Sequence, residues 1–203
     1  MRRRCSGCRS VKHSDELCDL HGDGPVTNVA RRPSNQLEWC RPSIIPSRMP
    51  LCTIGYEKRS LDEFIDLLLA NGVEVVLDVR ETAWSHKPGF SKTAFSAGLQ
   101  AVGIAYVHLR AAGNPKSLRE SASNHAECLA MYREYVEHHP EVMASLAETL
   151  RAQGVTHRRI ALTCFERHPE DCHRGILAEA WAACNDSEVL HLGPEGCKRL
   201  IPV

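Results

Sequence analysis

From Leu51 to Leu192, short β-branched runs alternate with segments whose apolar residues recur every three or four positions. That alternation restricts the chain to a parallel-sheet α/β fold, because parallel strands need a crossover connection and a helix is the usual one. Leu51-Cys52-Thr53-Ile54-Gly55-Tyr56 is a short apolar run closed by glycine, a buried-strand pattern. Ser60-Leu61-Asp62-Glu63 has capping-box spacing, and Leu61, Phe64, Ile65, Leu68 and Leu69 follow on one helical face before Asn71-Gly72 ends it. Val73 to Val79 reads as a second strand, Ser91 to Gly103 as a helix and Ile104 to Leu109 as a third strand. The segment from Ser121 to Gln153 is helical in two pieces, the second opened by Pro140, which has no N–H to give to a helix interior. Arg159 to Phe165 is a fourth strand. Cys172 to Cys184 is a helix with Ile176, Leu177, Ala180, Trp181 and Cys184 on one face, and Glu188 to Leu192 is a last short strand. The expected fold is a single open, mainly parallel α/β sheet of about five strands with helices on both faces. A disordered N-terminal tail is expected before it, and no internal repeat is present.

The tail and the body differ in kind. Residues 1–50 carry nine Lys/Arg against five Asp/Glu and are rich in Arg, Ser, Pro and Cys, with no apolar period. They read as a basic, Cys-containing extension, with Met49 as a candidate natural start, and residues 51–203 as the domain. An alternative for the extension is a small zinc module built from Cys5, Cys8, His13, Cys18, His21 and Cys40, although their spacing forms no closed pair of knuckles. The domain carries more acidic than basic residues, which argues against a broad phosphate-tracking surface. A small anionic substrate is therefore the expected partner and nucleic acid is not favoured. No run of about 18 uncharged apolar residues is present, so no membrane partner is expected. The charged start lacks an apolar h-region, which points to the cytoplasm. In an unexported chain most of the 10 cysteines are expected as reduced thiols. No sequence feature bears on the oligomeric state.

In an open parallel sheet, ligands bind beyond the carboxyl ends of the strands. Four such ends deliver polar groups here: Gly55-Tyr56-Glu57, Asp78-Val79-Arg80, His108-Leu109-Arg110 and Cys164-Phe165-Glu166. The last runs on through Arg167-His168-Pro169-Glu170-Asp171-Cys172-His173-Arg174. Asp171 is the expected N-cap of the following helix, which would put Cys172, His173 and Arg174 in its first turn, where free N–H groups attract anions and lower a thiol's pKa. Cys172 is then a candidate nucleophile, His173 a proton carrier and Arg174 an anion ligand. The bland readings stand beside these. Cys172 lies four residues before Ile176 on the face expected to pack on the sheet, Cys164 sits within a strand, and Glu166 and Arg174 have the types of a solvated ion pair. Asp78 resists a bland reading, because a carboxylate after Val75-Val76-Leu77 is costly to bury unpaired.

Cys164, Cys172 and His173, with Glu166 or His168 as a fourth group, form a candidate metal set, although seven residues between the cysteines is no knuckle spacing. A Cys-x5-Arg phosphatase loop is excluded, since the residues six after Cys164 and Cys172 are Glu170 and Ala178. No G-x-x-x-x-G-K-[ST] loop and no G-x-G-x-x-G turn is present, which removes the usual warrants for nucleotide triphosphate hydrolysis and dinucleotide redox chemistry.

These residues resemble the DUF488 family. The likeness rests on Thr53-Ile54-Gly55-Tyr56-Glu57, on Asp78-Val79-Arg80 followed by Trp84-Ser85-His86-Lys87-Pro88-Gly89-Phe90-Ser91-Lys92, on Tyr106-Val107-His108-Leu109, and on Cys164-Phe165-Glu166 with Pro169-Glu170-Asp171-Cys172-His173-Arg174. It spans roughly residues 51–185. The chain departs from the family pattern at Arg110-Ala111-Ala112-Gly113-Asn114-Pro115, a loop placed to alter substrate fit. The resemblance implies shared motif roles for Asp78, Arg80, Ser85, Lys87, His108, Cys164, Glu166, Cys172, His173 and Arg174, and supplies no reaction. The leading expectation is an enzyme acting on a small phosphate-bearing or nucleotide-like anion, with Cys172, His173, Asp78 and Glu166 catalytic. Tyr56, Arg80, Ser85, Lys87, His108 and Arg174 would bind the substrate. No cofactor is required by this reading, and zinc belongs to the alternative built on Cys164, Cys172 and His173. The other rival is a non-catalytic nucleotide or nucleic-acid-binding module.

Overall fold

The computed structural model describes residues 50–193 in full and residues 196–200 by their backbone. The expectations for the N-terminal extension lie outside these residues. Strands β1 (Leu51–Gly55), β2 (Val75–Asp78), β3 (Ala105–His108), β4 (Ile160–Cys164) and β5 (Val189–Gly193) are all parallel, and β6 (Gly196–Leu200) closes the edge antiparallel to β5. The order across the sheet is β3-β2-β4-β1-β5-β6. Five parallel strands match the reading of the sequence, while β6 lies beyond the last apolar run and carried no period to announce it.

Helices cover both faces. On one side α1 (Leu61–Ala70) and α2 (Lys92–Ala101) pack against Cys52, Ile54, Val76 and Ala161. On the other, α4 (His125–His138), α5 (Pro140–Ala152) and α6 (His173–Asn185) pack against Leu51, Val75, Leu77, Ile160 and Leu162. The split follows from the period of two along each strand, which sends Val75 and Leu77 to one core and Val76 to the other. Helix α1 starts with both halves of its capping box formed, Ser60 accepting from the Glu63 N–H and Glu63 accepting from the Ser60 N–H at 2.7 Å. Pro140 is the first residue of α5, as its missing N–H requires. A single turn, Arg110–Ala112, and the short helix α3 (Lys116–Ser121) follow β3, in a stretch too polar to show a period.

The connections locate the crevice. Strands β1 and β2 leave the sheet through α1 and α2 on one face, whereas β4, which lies between them, leaves through α6 on the other. Chains that depart to opposite faces open a gap at the carboxyl edge, the usual ligand position in this architecture. Cys164 is the last residue of β4 and stands at that gap.

Candidate functional site

A cleft of about 1230 Å³ opens at the carboxyl edge. Of the residues named from the sequence, Tyr56, Arg80, Ser85, Lys87, Cys164, Glu166 and His173 line it. Asp78, His108, Cys172 and Arg174 are not among its lining residues. The structure adds Trp84, His86, Asn114, Arg119, His125 and Phe165. Asn114 comes from the loop after β3, within the Arg110–Pro115 stretch noted in the sequence, and Arg119 from α3 beyond it. Their position was not legible because nothing in the sequence says that this loop folds back over the β2 end, where Gly113 abuts the Glu81 backbone.

Arg80 and Asp78 form one buried unit. The guanidinium meets the carboxylate through Nε at 2.8 Å and Nη2 at 2.6 Å, while Nη1 donates to the Tyr56 hydroxyl and to the Phe90 carbonyl, both at 2.9 Å. Tyr106 donates its hydroxyl to the second Asp78 oxygen at 2.7 Å. Asp78 is 0% exposed, so its partners resolve the cost anticipated from the sequence. The same contacts commit the Arg80 guanidinium to protein groups. Burial lifts the Tyr56 hydroxyl above its ordinary pKa, against the lowering pull of Arg80. His108 binds the Arg80 carbonyl through Nε2 at 2.8 Å.

Arg174, also expected to meet an anion, straps the loop that follows β4. It is buried, with Nη1 donating to the Glu166 carbonyl at 2.6 Å and Nη2 to the Arg167 carbonyl at 3.1 Å. A side chain on Gly55 would overlap that Glu166 carbonyl, so only glycine lets β1 end beneath the strapped loop. The Asp171 N-cap expectation is corrected by one residue: Cys172 is the N-cap of α6, extended at φ −140° and ψ 139°. A turn in which the Cys172 N–H donates to the Pro169 carbonyl carries the chain one residue further before it coils. His173 thus begins the helix, and the Cys172 sulfur sits at the mouth of the helix dipole without making a capping bond.

His173 organises both thiols. Its Nε2 lies 2.8 Å from the Val79 carbonyl, which can only accept, so Nε2 carries a hydrogen and Nδ1 faces the sulfurs. Nδ1 is 3.6 Å from Cys164 Sγ and 3.9 Å from Cys172 Sγ, and the three atoms lie within 4.8 Å of one another. Burial works against a charge on Cys172, yet hydrogen bonds from Cys164 and His173 and the positive His173 and Arg174 outweigh it and hold this thiol below its ordinary range. Its hydrogen bond to Cys172, joined by burial, pushes Cys164 up. His173 is raised, because interaction with Cys172 overcomes burial. The two sulfurs therefore titrate as a pair that shares a proton. Among the described cysteines Cys52, Cys128, Cys164 and Cys172 are free thiols, whereas Cys184 is disulfide-bonded.

Glu166 stands 3.6 Å from Cys164 Sγ and is pushed up to about 7, first by burial and then by the charge on Cys172. A group raised in the folded state contributes stability below its unfolded pKa near 4.5 and loses it as pH rises through about 7. Glu166→Gln should therefore match the parent at pH 4 and exceed it by about 1–2 kcal/mol at pH 8.5, after allowance for partial exposure. Urea unfolding of both proteins at the two pH values checks this; equal stabilities at pH 8.5 would contradict the buried-carboxyl account.

Among the described residues no helix is long and apolar enough to cross a membrane. A family model described as Domain of unknown function DUF488 matches residues 60–181. No curated protein and no solved structure matches the chain.

Proposed function

This chain belongs to the DUF488 family, and from that premise we propose that it is an enzyme using the Cys164/Cys172 thiol pair on a small phosphate-bearing or nucleotide-like anion held in the cleft. The observation that carries the reading is His173: one ring nitrogen is fixed by the Val79 carbonyl while the other faces both sulfurs. Nucleophile, base and orienting group thus occur in one constellation. Access supports Cys164 as the attacking sulfur, since it lines the cleft, whereas Cys172 does not and shares the negative charge. The Cys172 thiolate, paired with the His173 imidazolium, takes the Cys164 proton. The Cys164 sulfur bonds to the electrophilic centre, and the leaving group departs with the electrons of the broken bond and a proton from Glu166. Lys87 is the best-placed cation for the anion: it lines the cleft, and its ammonium donates to the Tyr56 carbonyl at 2.7 Å, with further donors to give. Arg80 and Asp78 act by holding the β2 end in place.

One observation favours a second reading, a metal-dependent site. A tetrahedral zinc with bonds of about 2.3 Å to sulfur and about 2.05 Å to nitrogen keeps S and N roughly 3.6 Å apart. The distances here are 3.6 Å and 3.9 Å. The bond from His173 Nε2 to a backbone carbonyl is also the outer-shell contact usual for a ligating histidine. Cys164, Cys172 and His173 would then hold the ion, with the cleft side open. Elemental analysis of the dialysed full chain separates the readings. The thiol reading expects metal-free, folded protein whose Cys164 alkylates at neutral pH. Near-stoichiometric zinc that disappears in Cys164→Ser would replace it with the metal reading.

A further inference from the structure

Four large apolar side chains are exposed among the described residues: Leu69, Trp84, Val102 and Phe165. Leu69 and Val102 sit singly at the ends of α1 and α2, which is ordinary for a protein surface. Trp84 and Phe165 are different. They come from the loops after β2 and β4, which are neighbouring strands, and both line the same cleft. Trp84 is 59% exposed and Phe165 43%, whereas the neighbouring Tyr56 and Phe90 are buried. Neither ring is loose. The Trp84 indole meets the His86 ring at 72° with centroids 4.2 Å apart, and Phe165 meets Tyr56 at 79° and 5.3 Å. Each ring is braced by an edge-to-face contact with that neighbour.

We propose that Trp84 and Phe165 form a stacking subsite at the cleft for a planar heteroaromatic ring of the nucleobase class. Two braced aromatic faces beside cationic side chains is the arrangement by which proteins hold bases without reading their edges. Lys87, Arg119 and His125 line the same cleft and supply the polar surroundings that a ring attached to a sugar or phosphate meets. The subsite deepens the proposed function, resting on the same cleft, and can be tested apart from it.

Adenosine, cytidine, their 5′-monophosphates and ribose 5-phosphate are titrated against the full chain by calorimetry, with Trp84→Ala and Phe165→Ala as variants. Because both side chains are exposed, neither change threatens folding, which circular dichroism verifies. The expected result is that a nucleoside 5′-monophosphate binds about tenfold or more tightly than ribose 5-phosphate, and that Trp84→Ala removes most of that advantage while leaving ribose 5-phosphate affinity unchanged. Binding of nucleosides without binding of ribose 5-phosphate would keep the stacking subsite and remove the anion from the proposed function. Equal affinities for nucleotide and sugar phosphate, an advantage that survives in both variants, or no binding by any base-bearing probe would overturn the subsite.

Discussion

Replacing Arg80 by alanine is expected to lower the unfolding free energy by about 3–5 kcal/mol, the largest stability loss of any single change in the cleft. The reason is the carboxylate left behind. Asp78 is fully buried, and the Arg80 guanidinium supplies two of its hydrogen bonds there. Without them the carboxyl group stays in a low-dielectric site where, among the described residues, the Tyr106 hydroxyl and the Arg80 backbone N–H are the donors left to it. The Phe90 carbonyl and the Tyr56 hydroxyl lose a donor as well. Urea denaturation measures the loss. The double variant Asp78→Leu with Arg80→Met tests the cause, because a buried ion pair replaced by apolar groups of similar size is often close to neutral. It should recover much of what the single variant loses. A single variant within about 1 kcal/mol of the parent would mean that water already reaches the pair.

The second large effect concerns thiol reactivity. At pH 7 the parent should alkylate with iodoacetamide much faster than an ordinary thiol, and His173→Ala should lower the rate by about 100-fold. A free thiol with a pKa near 8.5 is only a few per cent thiolate at pH 7, and less still when burial raises it further. In the parent, Cys172 is held below the ordinary range and His173 above its own, so an imidazolium–thiolate pair exists between the two values. The rate should stay flat across that window and fall only as pH drops through the lower value, where the thiolate takes up its proton. In His173→Ala the rise should move to higher pH. Mass spectrometry of the alkylated chain should place the first label on Cys164, which lines the cleft and becomes nucleophilic by passing its proton to the Cys172 thiolate. A pH–rate profile unchanged by His173→Ala would rule the imidazole out as the base, and a first label on Cys172 would exchange the roles of the two sulfurs.

Much of the fold was legible because its signals are local. The capping box at Ser60 and Glu63, the Pro140 break and the glycine-closed strand at Gly55 each act within a few residues, and each stands where the pattern put it. The α6 start missed by one residue because the turn from Pro169 to Cys172 competes with Asp171 as the cap. Strand β6 and helix α3 were missed because neither has an apolar face of its own. The loop residues Trp84 and Phe165 were in view as motif members, but exposure is a property of the packed molecule and carries no mark in the sequence.

By itself the sequence determined which residues could reach the carboxyl edge, because strand ends and helix starts follow from periodicity and caps. Only the tertiary structure decided what those residues do there. Arg80 and Arg174 look alike as free cations in a string of letters, yet one is spent on Asp78 and the other on two backbone carbonyls. His173 becomes the centre of the thiol pair through a bond to Val79, 94 positions earlier in the chain. Parallel crossovers join strands that are distant in sequence, so a contact of that kind is set by sheet order and not by any local pattern. The cysteines show the same division: a strand end and a helix start named the two, and the packed molecule put Cys164 but not Cys172 in the lining of the cleft.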